Sequence, residues 1–105
     1  MSIDLGSCAV RETILVNTRA SMYELIVLRG DDGDVLVRGG SHFTEFRRVL
    51  FVGSTAEGGL LHPRMIDIGL RMQFICVDQV VITSAVQSFT RRRASAASTE
   101  CAAAG

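Results

Sequence analysis

The sequence predicts an all-β domain, a small antiparallel barrel or rolled sheet of five to seven strands. Two observations predict it. From Arg11 to Thr90 the chain is a succession of short runs rich in Val, Ile, Leu, Phe and Thr, cut by Gly, Asp, Asn and Ser, with little of the apolar repeat of a helix. The connections are also too brief to hold crossover helices, so the strands must pair mainly antiparallel.

Taken in order, the predicted strands are Glu12–Thr18, Met22–Arg29, Asp34–Arg38, Arg47–Ser54, Met65–Val77, Val80–Thr83 and a short last one near Gln87–Arg91. Gly30-Asp31-Asp32-Gly33 joins the second to the third, and its Asp-Gly step suits the positive φ of a tight hairpin. In the long run, Ile66, Ile68, Leu70, Met72, Phe74 and Cys76 fall on one face, and Gly69 offers a place to bend. Thr83-Ser84-Ala85-Val86 reads as the single helical turn that precedes the last strand of SH3-like barrels, which favours that shape over an OB-type one.

Residues 1–10 read as an N-terminal extension, 11–93 as a single barrel domain and 94–105 as an Ala/Ser-rich flexible tail. Hydrophobic residues make up 48% of the chain, enough to fold without a metal or disulfide staple. Leu25-Ile26-Val27-Leu28, Val49-Leu50-Phe51-Val52 and Val80-Val81-Ile82 do not alternate. A barrel buries only one face of each strand, so their outer apolar residues need cover. A homo-oligomer, a dimer first, would supply it; the first ten residues and the loops are the other candidates.

Eleven basic and 11 acidic residues cancel, so no net field draws the molecule to nucleic acid or to an anionic membrane. Every basic residue is Arg, a usage that a GC-rich genome explains as readily as chemistry does. Cys8, Cys76 and Cys101 are odd in number and contain no Cys-x-x-Cys, the pattern of a reducing compartment. With no signal-like start and no apolar run of spanning length, a cytoplasmic location without membrane contact is the expectation.

Gly53-Ser54-Thr55-Ala56-Glu57-Gly58-Gly59 has phosphate-loop glycine spacing, but Gly59-Leu60 stands where Lys-Ser or Lys-Thr is required. A turned β connection, with Gly53 and Ser54 as candidates for binding an anion, accounts for it better. Arg47-Arg48 and Arg91-Arg92-Arg93 would lie at a barrel rim and form an anion patch, yet the chain has no Trp and one Tyr to stack bases. Asp31, Asp32 and Asp34 belong to turn chemistry, lacking the loop length and distal Glu of a calcium hand. His42 and His62 show no metal-ligand spacing, and no Gly-x-Ser-x-Gly marks a catalytic serine. Arg92-Arg93-Ala94-Ser95 has the form preferred by basic-directed kinases, a short pattern common by chance.

Gly39-Gly40, Val52-Gly53-Ser54-Thr55, Ile68-Gly69-Leu70-Arg71-Met72 and Ile82-Thr83-Ser84-Ala85-Val86 together resemble a family of short uncharacterised bacterial proteins, over about Thr13 to Phe89. That resemblance implies a bacterial cytoplasmic β domain and carries no activity with it. Barrels that bind cyclic dinucleotides are of similar size, but their Arg-x-x-x-Arg and Asp/Asn-x-Ser-x-x-Gly patterns are both absent. The expected function is a non-enzymatic, cofactor-free interaction module that self-associates and binds a protein, peptide or small anionic partner. The alternative is a nucleic-acid-binding barrel that uses its Arg clusters. A third reading, an enzyme built on His42, His62 and the Gly53–Gly59 loop, requires those parts to share one pocket.

Overall fold

The computed structural model describes residues 1–56 and 59–93. It contains strands β1 (Ser2–Asp4), β2 (Thr13–Thr18), β3 (Met22–Arg29), β4 (Asp34–Gly39), β5 (Phe43–Thr55), β6 (Leu61–Pro63), β7 (Met65–Asp67), β8 (Arg71–Ile75) and β9 (Val80–Arg92). No α-helix occurs among the described residues; the only helical pieces are 3-10 turns at Leu5–Ser7 and Gly30–Asp32. The all-β antiparallel prediction therefore holds. Strands β2, β3, β4, β5, β8 and β9 form a ring in chain order, closed where β9 meets β2 and where β4 meets β5. β6 adds to β5 outside the ring, and β1 and β7 form a separate ribbon.

Closure rests on two strands of 13 residues, β5 and β9, each shared between two ring neighbours. β5 pairs first with β4 and then, from Leu50 on, with β8. Between Phe51 and Gly53 the register slips, leaving Val52 as the bulged residue. Gly53 follows it at φ 151°, where an added Cβ would lie 2.2 Å from the His62 carbonyl oxygen. β9 pairs first with β8 and later with β2, and it bends at Thr83-Ser84, which bulge opposite Met72. The Thr83 hydroxyl accepts the Met72 N–H at 3.1 Å, so the amide opposite the bulge keeps a partner. The helical turn expected at Thr83–Val86 is thus extended strand, and it no longer argues for an SH3-like over an OB-type barrel.

The run predicted as one strand from Met65 to Val77 is broken. A turn carries Gly69 at φ 91°, and β7 leaves the ring to pair with β1. Ile66 is still buried, as are Met72, Phe74 and Cys76, but Ile68 is exposed. The two halves keep a common parity while packing against different partners. The ribbon explains where the N-terminal residues go: Ile3 sits opposite Ile66, Leu5 is fully buried, and both join the core and cap one end of the barrel. At the centre, Phe74 contacts the rings of Phe43, Phe51 and Tyr23 at centroid separations of 5.7, 5.4 and 6.5 Å. The predicted tail, 94–105, and Glu57-Gly58 of the glycine loop lie outside the described residues.

Candidate functional site

Directly opposed residues of an antiparallel ladder project to the same face, so the registers can be followed as rows around the barrel. One row runs Arg48, Leu36, Ile26, Thr13, Arg92, from β5 across β4, β3 and β2 to β9. Leu36, Ile26 and Thr13 are half-buried on the outer surface and Arg92 is exposed. Beside them lies a groove of about 440 Å³, floored by Ile26, Leu28 and Leu36 and rimmed by Arg11, Arg92 and Arg93.

Arg11 reaches that rim through an unusual backbone. Its φ is 69°, a left-handed conformation that non-glycine residues seldom adopt. Two bonds to β3 hold it: the Arg11 N–H donates to the Val27 carbonyl at 2.6 Å, and the Val27 N–H donates to the Glu12 carbonyl at 2.9 Å.

The neighbouring row runs Arg47, Val37, Leu25, Ile14, Arg91 and faces the interior along most of its length. Strand alternation therefore separates two adjacent arginines. Arg92 points to the groove, whereas Arg91 turns back and bonds the buried Glu12. That bond from Arg91 holds the Glu12 carboxyl below its ordinary value against the opposing effect of burial; the Ala9 N–H, donating at 3.1 Å, and the charges of Arg91 and Arg93 assist.

The other predicted candidates are placed apart. Arg48 grips Asp34 through its Nε and Nη2 donors, at 2.9 and 2.6 Å, and this bonding lowers the pKa of the Asp34 carboxyl. Arg47 stands 3.9 Å from Asp78. Three of the five arginines nominated for an anion patch thus face carboxylates of the same chain. Gly53 and Ser54 lie in β5 and not in a loop. The Ser54 hydroxyl is buried, donating to the Met65 carbonyl at 2.7 Å and accepting the Asp67 N–H at 3.0 Å, so it fixes β7 against the barrel.

His42 precedes β5, and His62 on β6 opposes Ser54 near its far end. About 11 residues of strand, on the order of 30 Å, separate them, so the two histidines and the glycine loop do not converge on one pocket. His62 Nδ1 is 2.6 Å from Asp67 Oδ2. Among the described residues no three His, Cys, Asp or Glu side chains come together as a metal site.

A second surface lies on the opposite wall. Leu50, Ile75 and Val80 form one outer row across β5, β8 and β9, exposed by 42%, 40% and 55%, and Ile82 and Val77 extend it. A shallow groove of about 380 Å³ borders this row, with Asp32, Asp34 and Arg48 at its margin. Elsewhere the exposed Phe46 has a cation over its face: the Arg38 guanidinium lies 4.3 Å from the centre of the ring.

The sequence reading missed Arg11 and the floor residues. Arg11 carries no signal without its φ, and Ile26 and Leu36 become a floor only once β2, β3 and β4 are in register. No family model, no curated protein and no solved structure matches this chain. Among the described residues no helix is long and apolar enough to cross a membrane.

Proposed function

We propose that this chain is a non-enzymatic interaction module, a small barrel that dimerises through the wall β5-β8-β9 and leaves the wall β2-β3-β4 free for a partner. The observation that carries the reading is the exposed row Leu50, Ile75 and Val80, continued by Ile82 and Val77. Removing contiguous apolar side chains on an outer sheet face from water lowers the free energy by roughly 25 cal/mol per Å². The chain's own first residues supply no cover there, because β1 sits on β7 at the barrel end.

Association through a face also suits a closed ring. Each ring strand has a ring neighbour on both sides, so open strand edge within the ring lies mainly along the halves of β5 and β9 that have already changed partner. The charged margin, Asp34 with Arg48, would set the rim of such an interface. Among the described residues Cys8 and Cys76 are not bridged to each other.

The test is a dilution series followed by amide NMR. Shifts at Leu50, Ile75, Val80 and Ile82 should move with concentration and become concentration-independent in Ile75→Arg. Shifts in this wall that stay constant from micromolar to millimolar protein would defeat the reading.

A further inference from the structure

We propose that the groove on the wall β2-β3-β4 is a binding site for a small amphipathic carboxylate, its anionic head on Arg11 and Arg92 and its apolar body on Ile26, Leu28 and Leu36. Three features point there together. First, charge is uncompensated: among the described residues Arg11 and Arg92 form no ion pair, in contrast to Arg91 on Glu12 and Arg48 on Asp34. A guanidinium offers two parallel N–H donors that match the two oxygens of a carboxylate.

Second, the floor is apolar and sized for a small molecule. Ile26 and Leu28 are about 7 Å apart along β3, and Leu36 lies about 5 Å across on β4. The groove of about 440 Å³ falls within the roughly 300–1,000 Å³ of small-molecule sites. Third, the backbone at Arg11 is held at φ 69° by the bonds to Val27, and strain of this kind concentrates where a side chain must be aimed.

An inorganic anion would leave the floor unused, and an uncharged apolar molecule would leave the guanidinium groups unmatched. The ligand that answers both is a chain of several carbons ending in a carboxylate. This inference rests on the module reading for the wall left free, but it uses none of the residues of the opposite row. Dimerisation and ligand binding therefore fail separately: a monomer that binds the carboxylate keeps this proposal and loses the other.

The experiment is a ¹H–¹⁵N titration of the full chain at neutral pH with sodium octanoate, 1-octanol and inorganic phosphate in parallel. Octanoate should give saturable shifts centred on Thr13, Ile26, Leu36 and Arg92. Octanol and phosphate should bind at least tenfold more weakly, and added salt should weaken octanoate. The R11Q/R92Q double variant should lose at least tenfold in octanoate affinity while the remaining spectrum stays in place. Equal binding of octanol or of phosphate, shifts centred on the opposite wall, or no saturation by octanoate would each overturn the proposal. So would dissociation of an oligomer by octanoate, which would make the groove an interface between copies. The three-ligand comparison on the unmodified chain decides the matter even where the double variant does not fold.

Discussion

Glu12 is a carboxylate almost wholly removed from water, and among the described residues the side chain that donates to it is that of Arg91. Its folded pKa lies below the ordinary 4.5 because Arg91 bonds the charged form. A carboxyl whose pKa is depressed on folding contributes stability that is present above its unfolded value and is lost as pH falls through the folded one. Stability should therefore decline as pH drops below about 4.5, with Asp34, lowered by Arg48, adding to the same acid limb. Glu12→Ala should cost about 2 kcal/mol at neutral pH, a figure kept modest because Arg91 is partly solvated, and should flatten that limb in denaturant titrations at pH 7 and pH 3. A variant whose loss is the same at both pH values would show that packing, and not the ion pair, is what Glu12 provides. Neither the pairing of Glu12 with Arg91 nor the outward position of Arg92 beside the groove was legible in the sequence, where three consecutive arginines look alike. A separation of 79 positions conceals the partner, and only the phase of β9 decides which arginine turns inward.

Among the elements, β2, β3 and β4 were legible because their apolar residues alternate or cluster and a Gly-Asp-Asp-Gly turn divides two of them. Gly33 does adopt the left-handed conformation that the Asp-Gly step implied, at φ 74°. The same turn hides a second requirement. Gly30 lies against the N-terminal 3-10 turn so closely that a Cβ there would sit 1.9 Å from the Leu5 carbonyl oxygen. Gly30→Ala should therefore cost about 1–3 kcal/mol by forcing the two turns apart. Amide exchange should quicken at Leu5, whose N–H donates to the Arg64 carbonyl at 2.9 Å, before it quickens in the ring. Unchanged protection at Leu5 in that variant would contradict the cap described for residues 1–10. The break between β7 and β8 and the continuity of β9 were not legible, for a common reason. A strand that changes partner at a bulge keeps its period of two, so pattern alone registers neither the departure at Gly69 nor the bend at Thr83.

For the molecule as a whole, the ring order turns local hairpins into two opposed walls with different chemistry, one apolar and one apolar with an arginine rim. The sequence did announce the excess of apolar surface, through strands that fail to alternate. It did not show that Leu50, Ile75 and Val80 would be adjacent while Ile26 and Leu36 would be neighbours elsewhere, because those groupings follow from register across the closed ring. Light scattering across a size-exclusion peak, over a wide range of loading concentration, tests the central claim most directly. The account predicts twice the mass of one chain for the natural protein and the mass of one chain for Ile75→Arg, with the β-sheet circular dichroism of the variant preserved. A natural protein that runs as a monomer at every concentration would contradict it.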